Sequence, residues 1–273
     1  MNWISRFLSR IGRSTPERCA QRAHLRAAKN EDAENYLALA ANYTELALLY
    51  FGSSVHEPVN QRIDRVEQVF AGLWQSLPYA ERLSDFEYML TIALLYNTPH
   101  PEEIHSVDPL LIKLRQLPPL ARFALVAYEL GGWQHAHLAF ILRISPNQLH
   151  QLLSEARCEL CGISWDRLAD EEKACLESIS HAFDSRPNLR ANRALSQRVS
   201  EYPRVSEIRA DWLALRPHFV EIRYHYELSH ADRETLLKEI YNAIDGSPML
   251  RPPFMDRMIN SVQFSRHRRF KVS

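Results

Sequence analysis

Four side chains in the second half of the chain have the types and part of the spacing of a zinc site: Cys158 and Cys161, with two residues between them, then Cys175 and His181. Tetrahedral zinc takes sulfur and nitrogen donors of this kind. Small buried cysteines, however, are common in cores. No metal is assigned to them. His135, His137 and His150 form a second group, but residues two apart on a helix point to different faces, so these too read as polar positions rather than ligands. There is no Gly-rich phosphate loop and no Ser or Cys nucleophile in a recognisable catalytic setting. The expectation is therefore a protein that is not an enzyme and needs no cofactor. What remains is hydrogen-bonding chemistry. Gln134, His135, Asn147, Gln148, His150 and Gln151, followed by Arg157, put amide, imidazole and guanidinium groups within one short stretch, and such groups read base edges and phosphates.

Helices must carry these side chains. The chain has 273 residues, 46% of them hydrophobic and 24% charged, which is ordinary globular composition with room for more than one small domain. Only 7 residues are Gly, and apolar residues recur at spacings of three and four, so an all-α protein is expected. Residues 31–51 run as one helical stretch through Tyr36, Leu39, Tyr43, Leu46 and Tyr50, broken at Gly52 and Pro58. A second stretch carries Ile63, Val66, Phe70, Leu73, Trp74 and Leu77 on one stripe and stops at Pro78; a third has Ser84 as its cap and ends before Pro99. The polar, Pro-containing segment 99–109 reads as a linker. From Leu110 to Gly162, helical segments are punctuated by Pro118-Pro119, Gly131-Gly132 and a turn around Arg143. Helix, short turn, helix is the arrangement that sets one helix in a DNA major groove. Residues 163–273 continue as amphipathic helices and end in a basic tail.

Net charge is zero, but charge is segregated. Arg6, Arg10, Arg13, Arg18, Arg22, Arg26 and Lys29 face only Glu17 in residues 1–30, whereas residues 31–98 hold ten acids against Arg62, Arg65 and Arg82. Within the first segment, Trp3, Phe7, Leu8 and Ile11 share a face opposite the arginines. That amphipathic basic arm suits either an anionic membrane surface or the protein's own acidic domain. No apolar run reaches the roughly 20 residues of a membrane span, and no signal-like segment opens the chain. A cytoplasmic location follows as the expectation, with four cysteines too few to make a disulfide framework.

Two segments resemble the conserved regions of extracytoplasmic-function sigma factors. DRVEQVFAGLWQSL at 64–77, followed by FEYMLTIALLYN at 86–97, is similar to the core-binding and promoter-melting helices of that family's N-terminal domain. The resemblance implies that Asp64, Val66, Gln68, Phe70, Leu73 and Trp74 contact RNA polymerase core, with Glu67-Gln68 in exchanged order relative to the family. Residues 114–160 resemble its C-terminal helix-turn-helix in the Leu-Pro-Pro start, in Arg122, in Leu138-Ala139 and Ile141-Leu142, in Ile144, and in Leu149, Leu153, Ala156 and Arg157. The implied layout is a basic arm at 1–30, a sigma region 2-like bundle at 31–98, a linker at 99–109, a sigma region 4-like helix-turn-helix at 110–162 and a helical extension at 163–273. The implied partners are RNA polymerase core, promoter DNA and a regulatory protein. Three departures bear on DNA. Leu152 and Glu155 stand where the family places basic residues, Arg143 stands where Gly is usual, and residues 100–160 hold Lys113, Arg115, Arg122, Arg143 and Arg157 against six acids. A sigma-like protein that binds polymerase or a regulator without reading DNA is the alternative.

Overall fold

A computed structural model describes residues 16–55, 57–98, 108–184, 195–197 and 199–249, and within it every regular element is helical. In chain order these are α1 (Pro16–Ala28), α2 (Ala33–Ala40), α3 (Thr44–Ser54), α4 (Val59–Ser76), a 3-10 turn at Leu77–Tyr79, α5 (Leu83–Tyr96), α6 (Pro109–Gln116), α7 (Pro119–Glu129), α8 (His135–Ile141), α9 (Pro146–Leu160), a 3-10 turn at Trp165–Arg167, α10 (Asp170–Asp184), α11 (Pro203–Tyr226) and α12 (His230–Ile244). None of the described helices is long and apolar enough to cross a membrane. The first half of the basic arm, with Trp3, Phe7, Leu8 and Ile11, lies outside the described residues, as does the basic tail.

Local chemistry sets the boundaries. Proline opens α1, α6, α7, α9 and α11, where its missing N–H costs nothing and its fixed φ suits a first turn. Asp32 accepts from Asn35 N at 3.0 Å at the start of α2, Asp108 accepts from Leu110 N at 2.8 Å at α6, and Ser229 accepts from Asp232 N at 3.2 Å at α12. Two boundaries differ from the sequence expectation. The stretch 31–51 is two helices, because Tyr43 leaves the helical region at φ −123°, ψ −8°. The next helix runs through Gly52 to Ser54. The cap of α5 is not Ser84: the Asp85 carboxylate accepts from Arg82 N at 2.8 Å, so the cap falls two residues earlier, at Arg82, and the helix starts at Leu83.

Helix α3 is the centre of the molecule. All its residues from Leu46 to Ser54 are buried, and it touches α4, α5, α6, α7 and α11. Its Gly52 is where α11 comes closest. A Cβ there would sit 2.6–2.8 Å from the ring carbons of Tyr226, so only a glycine lets the Tyr226 ring lie flat on the helix. Around α3, a single apolar cluster joins residues from Leu25 in α1 to Leu160 in α9, and it also takes in Phe219, Ile222, Tyr226, Leu236, Ile240 and Ile244 of the C-terminal helices. Apolar packing thus runs across the boundaries expected at 98, 109 and 162. A smaller cluster of Cys158, Trp165, Cys175, Ile179, Ile208, Trp212 and neighbours packs the far side of α9 against α10 and the first half of α11.

Helix α1 belongs to this body rather than to an arm. Gln21, Leu25 and Ala28 are buried, and the helix packs on α2 and α5. Its anchor is a buried carboxylate. Glu87 of α5, with no solvent exposure, accepts from both Nη1 and Nη2 of Arg18, at 2.9 and 3.1 Å, and from the Tyr43 hydroxyl at 2.8 Å. His137 Nε2 of α8 lies 3.3 Å from its other face, off the line of a hydrogen bond, so that contact is a charge attraction when the imidazole is protonated. One side chain therefore ties α1, the α2–α3 joint and α8 to α5.

Candidate functional site

Helices α8 and α9 meet across the turn at Leu142–Ser145. Leu138 and Leu142 on one side and Leu149 and Leu153 on the other are all buried in the main cluster; Ile141, expected in the same interior, is buried but lies outside that cluster. Ser145 accepts from Gln148 N at 3.2 Å while the Gln148 carboxamide accepts from Ser145 N at 2.8 Å, which closes the start of α9 and fixes its direction. Arg143 holds the turn in the left-handed region at φ 55°, a conformation that costs a non-glycine residue free energy. Its guanidinium lies 3.9 Å from the centre of the Tyr88 ring on α5, an attraction that offsets part of the cost.

The residues expected to face DNA divide into two sets. Gln134, Asn147, Gln148 and Gln151 are exposed. Gln148 is held in the cap, and Gln151 Nε2 donates to Glu155 Oε1 at 2.8 Å. His135 and His150 are buried and stack on each other, ring centres 3.6 Å apart and 14° from parallel, so they join α8 to α9 rather than facing outward. Ser154 is also buried and bonds back to His150 O. Arg157 is turned inward as well. It is 3% exposed, donates Nε and Nη2 to Glu129 Oε1 at 3.0 and 2.6 Å and Nη1 to Ser180 Oγ at 2.9 Å, and lies near the Tyr128 and Trp212 rings. The reason is its position on α9. Residue 157 is six positions beyond Gln151, which turns it to another side of the helix, where α7 and α10 close in.

The expected polymerase-contact set divides in the same way. Asp64 and Gln68 are exposed on α4, whereas Val66, Phe70, Leu73 and Trp74 are at most 4% exposed and form part of the core. Helix α12 packs along α4, and Trp74 Nε1 donates to Ser247 O at 3.0 Å just beyond it. The Tyr36 hydroxyl donates to Phe70 O and the Tyr36 ring meets Trp74 edge-on. Burial, then the nearby Glu239 of α12 and Asp64, push the Glu67 carboxyl above its ordinary value, so the outer edge of the α4–α12 contact is acidic.

Basic surface lies elsewhere. Arg18, Arg22, Arg26, Arg82 and His137 line an open groove of about 370 Å³ between α1, the approach to α5 and α8, floored by Leu25, Leu83 and Phe140. Sequence reasoning noted these charges but not their place. The usable signal was the spacing of Arg18, Arg22 and Arg26, four residues apart and hence one stripe of a helix. A second group of arginines is inside. Arg62, Arg115 and Arg122 are each at most 5% exposed; burial lowers the pKa of Arg62 and of Arg122. Arg62 lies over the Tyr226 ring at 4.5 Å and Arg122 Nη1 donates to Arg115 O at 3.1 Å.

Among the described residues no three or more His, Cys, Asp or Glu side chains are placed to hold a metal. Cys158, Cys161 and Cys175 form no disulfide among the described residues. Burial, then the neighbouring Cys161, push Cys158 up to about 12, and burial, then Asp211, push Cys161 up to about 11, which opposes the thiolate form that zinc requires. The side chain of His181 is outside the described set. No protein-family model matches the chain, and no curated protein or solved structure does. The described residues form an all-α protein in which α8, a short turn and α9 are packed into a larger helical body.

Proposed function

We propose that the protein is a sigma-like transcription initiation factor that binds RNA polymerase core through α4 and meets DNA through α8 and α9. One observation carries the DNA half: two helices joined by a short turn, their apolar faces locked by Leu138, Leu142, Leu149 and Leu153, with Asn147, Gln148 and Gln151 outward at the start of the second. Amide side chains at that position have the donors and acceptors that base edges require. The polymerase half rests on the similarity of 64–77 to the family's core-binding helix, and the outward residues Asp64 and Gln68 are its accessible part.

A second reading, a regulator that binds polymerase or another protein without reading DNA, is favoured by the inward turn of Arg157 and by the covering of α4 by α12. Co-elution of the full chain with purified polymerase core tests what both share. Asp64→Lys with Gln68→Glu leaves the core untouched and is expected to weaken co-elution at least about tenfold, equivalent to about 1.4 kcal/mol. Wild-type protein that fails to co-elute, or a double variant that co-elutes equally well, rejects α4 as the docking helix.

A further inference from the structure

We infer that the basic groove between α1, the approach to α5 and α8 is a binding site for the phosphate backbone of duplex DNA, supplying the charge that α9 lacks. The inference rests on the DNA half of the proposed function. A helix that reads bases also needs cations for phosphates, because neutralising phosphate and releasing its counterions supply most of the affinity. On α9 the basic residue is Arg157, and it is spent on Glu129. The groove has what is missing. Arg22, Arg26 and Arg82 line it and are exposed, and none of them makes an ion pair with an acidic side chain among the described residues. Arg18, on the same stripe, is committed to Glu87, while Glu81 is the acid lining this groove.

Position makes duplex DNA the occupant. One wall of the groove is α8, the first helix of the helix-turn-helix, through His137 and Phe140. A second, smaller groove of about 160 Å³ shares Arg82, Ser84 and Phe140 with the first and ends at Arg143. Arg143 is in the turn itself, four residues before Asn147. A continuous track of guanidinium groups therefore runs from α1 past α5 to the start of α9. Planar guanidinium forks match phosphate oxygens in pairs, and an open trough passes a strand where a closed pocket would hold only a small ligand.

The test uses the full chain and fluorescein-labelled duplex DNA, with anisotropy followed across a salt series. Arg22→Ala with Arg26→Ala is expected to weaken binding roughly tenfold at low salt and to flatten the log–log salt dependence by about two, close to one unit per lost phosphate contact. Arg22→Lys with Arg26→Lys keeps the charge and is expected to restore the slope. Gln151→Ala is expected to change sequence preference and leave the slope alone. An unchanged slope and affinity in the alanine double variant, with wild-type protein binding DNA, overturns the groove assignment and leaves α9 as a reader. Wild-type protein that binds no duplex at the lowest salt overturns the groove assignment together with the DNA half of the function. Arginine-dependent binding of ATP in place of duplex overturns it in favour of a small-ligand site. Unchanged melting temperatures in the exposed-arginine variants keep these outcomes separate from misfolding.

Discussion

Replacing Glu87 by Gln removes one charge and almost no volume from the point where α1, α5, α8 and the α2–α3 joint meet. The carboxylate is fully buried and holds two hydrogen bonds from Arg18 and one from Tyr43. Removing one partner of a buried ion pair costs about 3–5 kcal/mol. Arg18 is partly exposed and can turn back to water, so the lower end, about 3 kcal/mol, is expected. At this chain length that lowers the melting temperature by roughly 6 to 12 °C. The pH dependence gives a second readout. Burial alone would raise the Glu87 carboxyl, but His137 beside it and the Arg18 contacts outweigh that and hold it below its ordinary value. A depressed carboxylate stabilises the fold fully above its unfolded value and loses that contribution as pH falls through the folded one. The gap between wild type and Glu87→Gln should therefore be full at pH 6 and shrink as pH drops below about 4.5, as followed by thermal melts across pH. A melting temperature within about 1 °C of wild type at pH 6, or a gap that does not change with pH, would refute the role given to Glu87.

Gly52→Ala drives a Cβ into the Tyr226 ring and is expected to cost about 1–3 kcal/mol in urea denaturation and to raise hydrogen exchange at the end of α11 first. Arg157→Met strips Glu129 of its buried partner; a loss of about 3 kcal/mol is expected, with DNA affinity at matched temperature unchanged, since the guanidinium faces Glu129 and Ser180. Thiol titration of the native protein at pH 8 should modify exposed Cys19 quickly, and buried Cys158 and Cys175 only after unfolding.

The helix periods, the apolar stripe of α4 and the leucines between α8 and α9 were legible in the chain because they depend on local spacing. Direction was legible only in part. Val66, Phe70, Leu73 and Trp74 are core residues of α4, as their stripe requires, and nothing in residues 64–77 tells whether such a stripe meets a partner protein or α12 of the same chain. Arg157 and His150 carry polar heads on a helix whose outer side looked open, yet α7, α8 and α10 close over them. The Glu87 node was invisible because its members lie at positions 18, 43, 87 and 137, and no periodicity links them. Segregated charge was readable, but the docking of α1 beside α8, which turns Arg22 and Arg26 into one wall of a groove, follows from tertiary packing.

Competition for RNA polymerase core against a resident sigma subunit probes the proposed sigma-like docking most directly. Titrating the full chain into a preformed core–sigma complex should release the resident subunit in proportion to occupancy, with Asp64→Lys and Gln68→Glu shifting the curve to higher concentration. Formation of a ternary complex holding both proteins, or no displacement at saturating concentration, would contradict it.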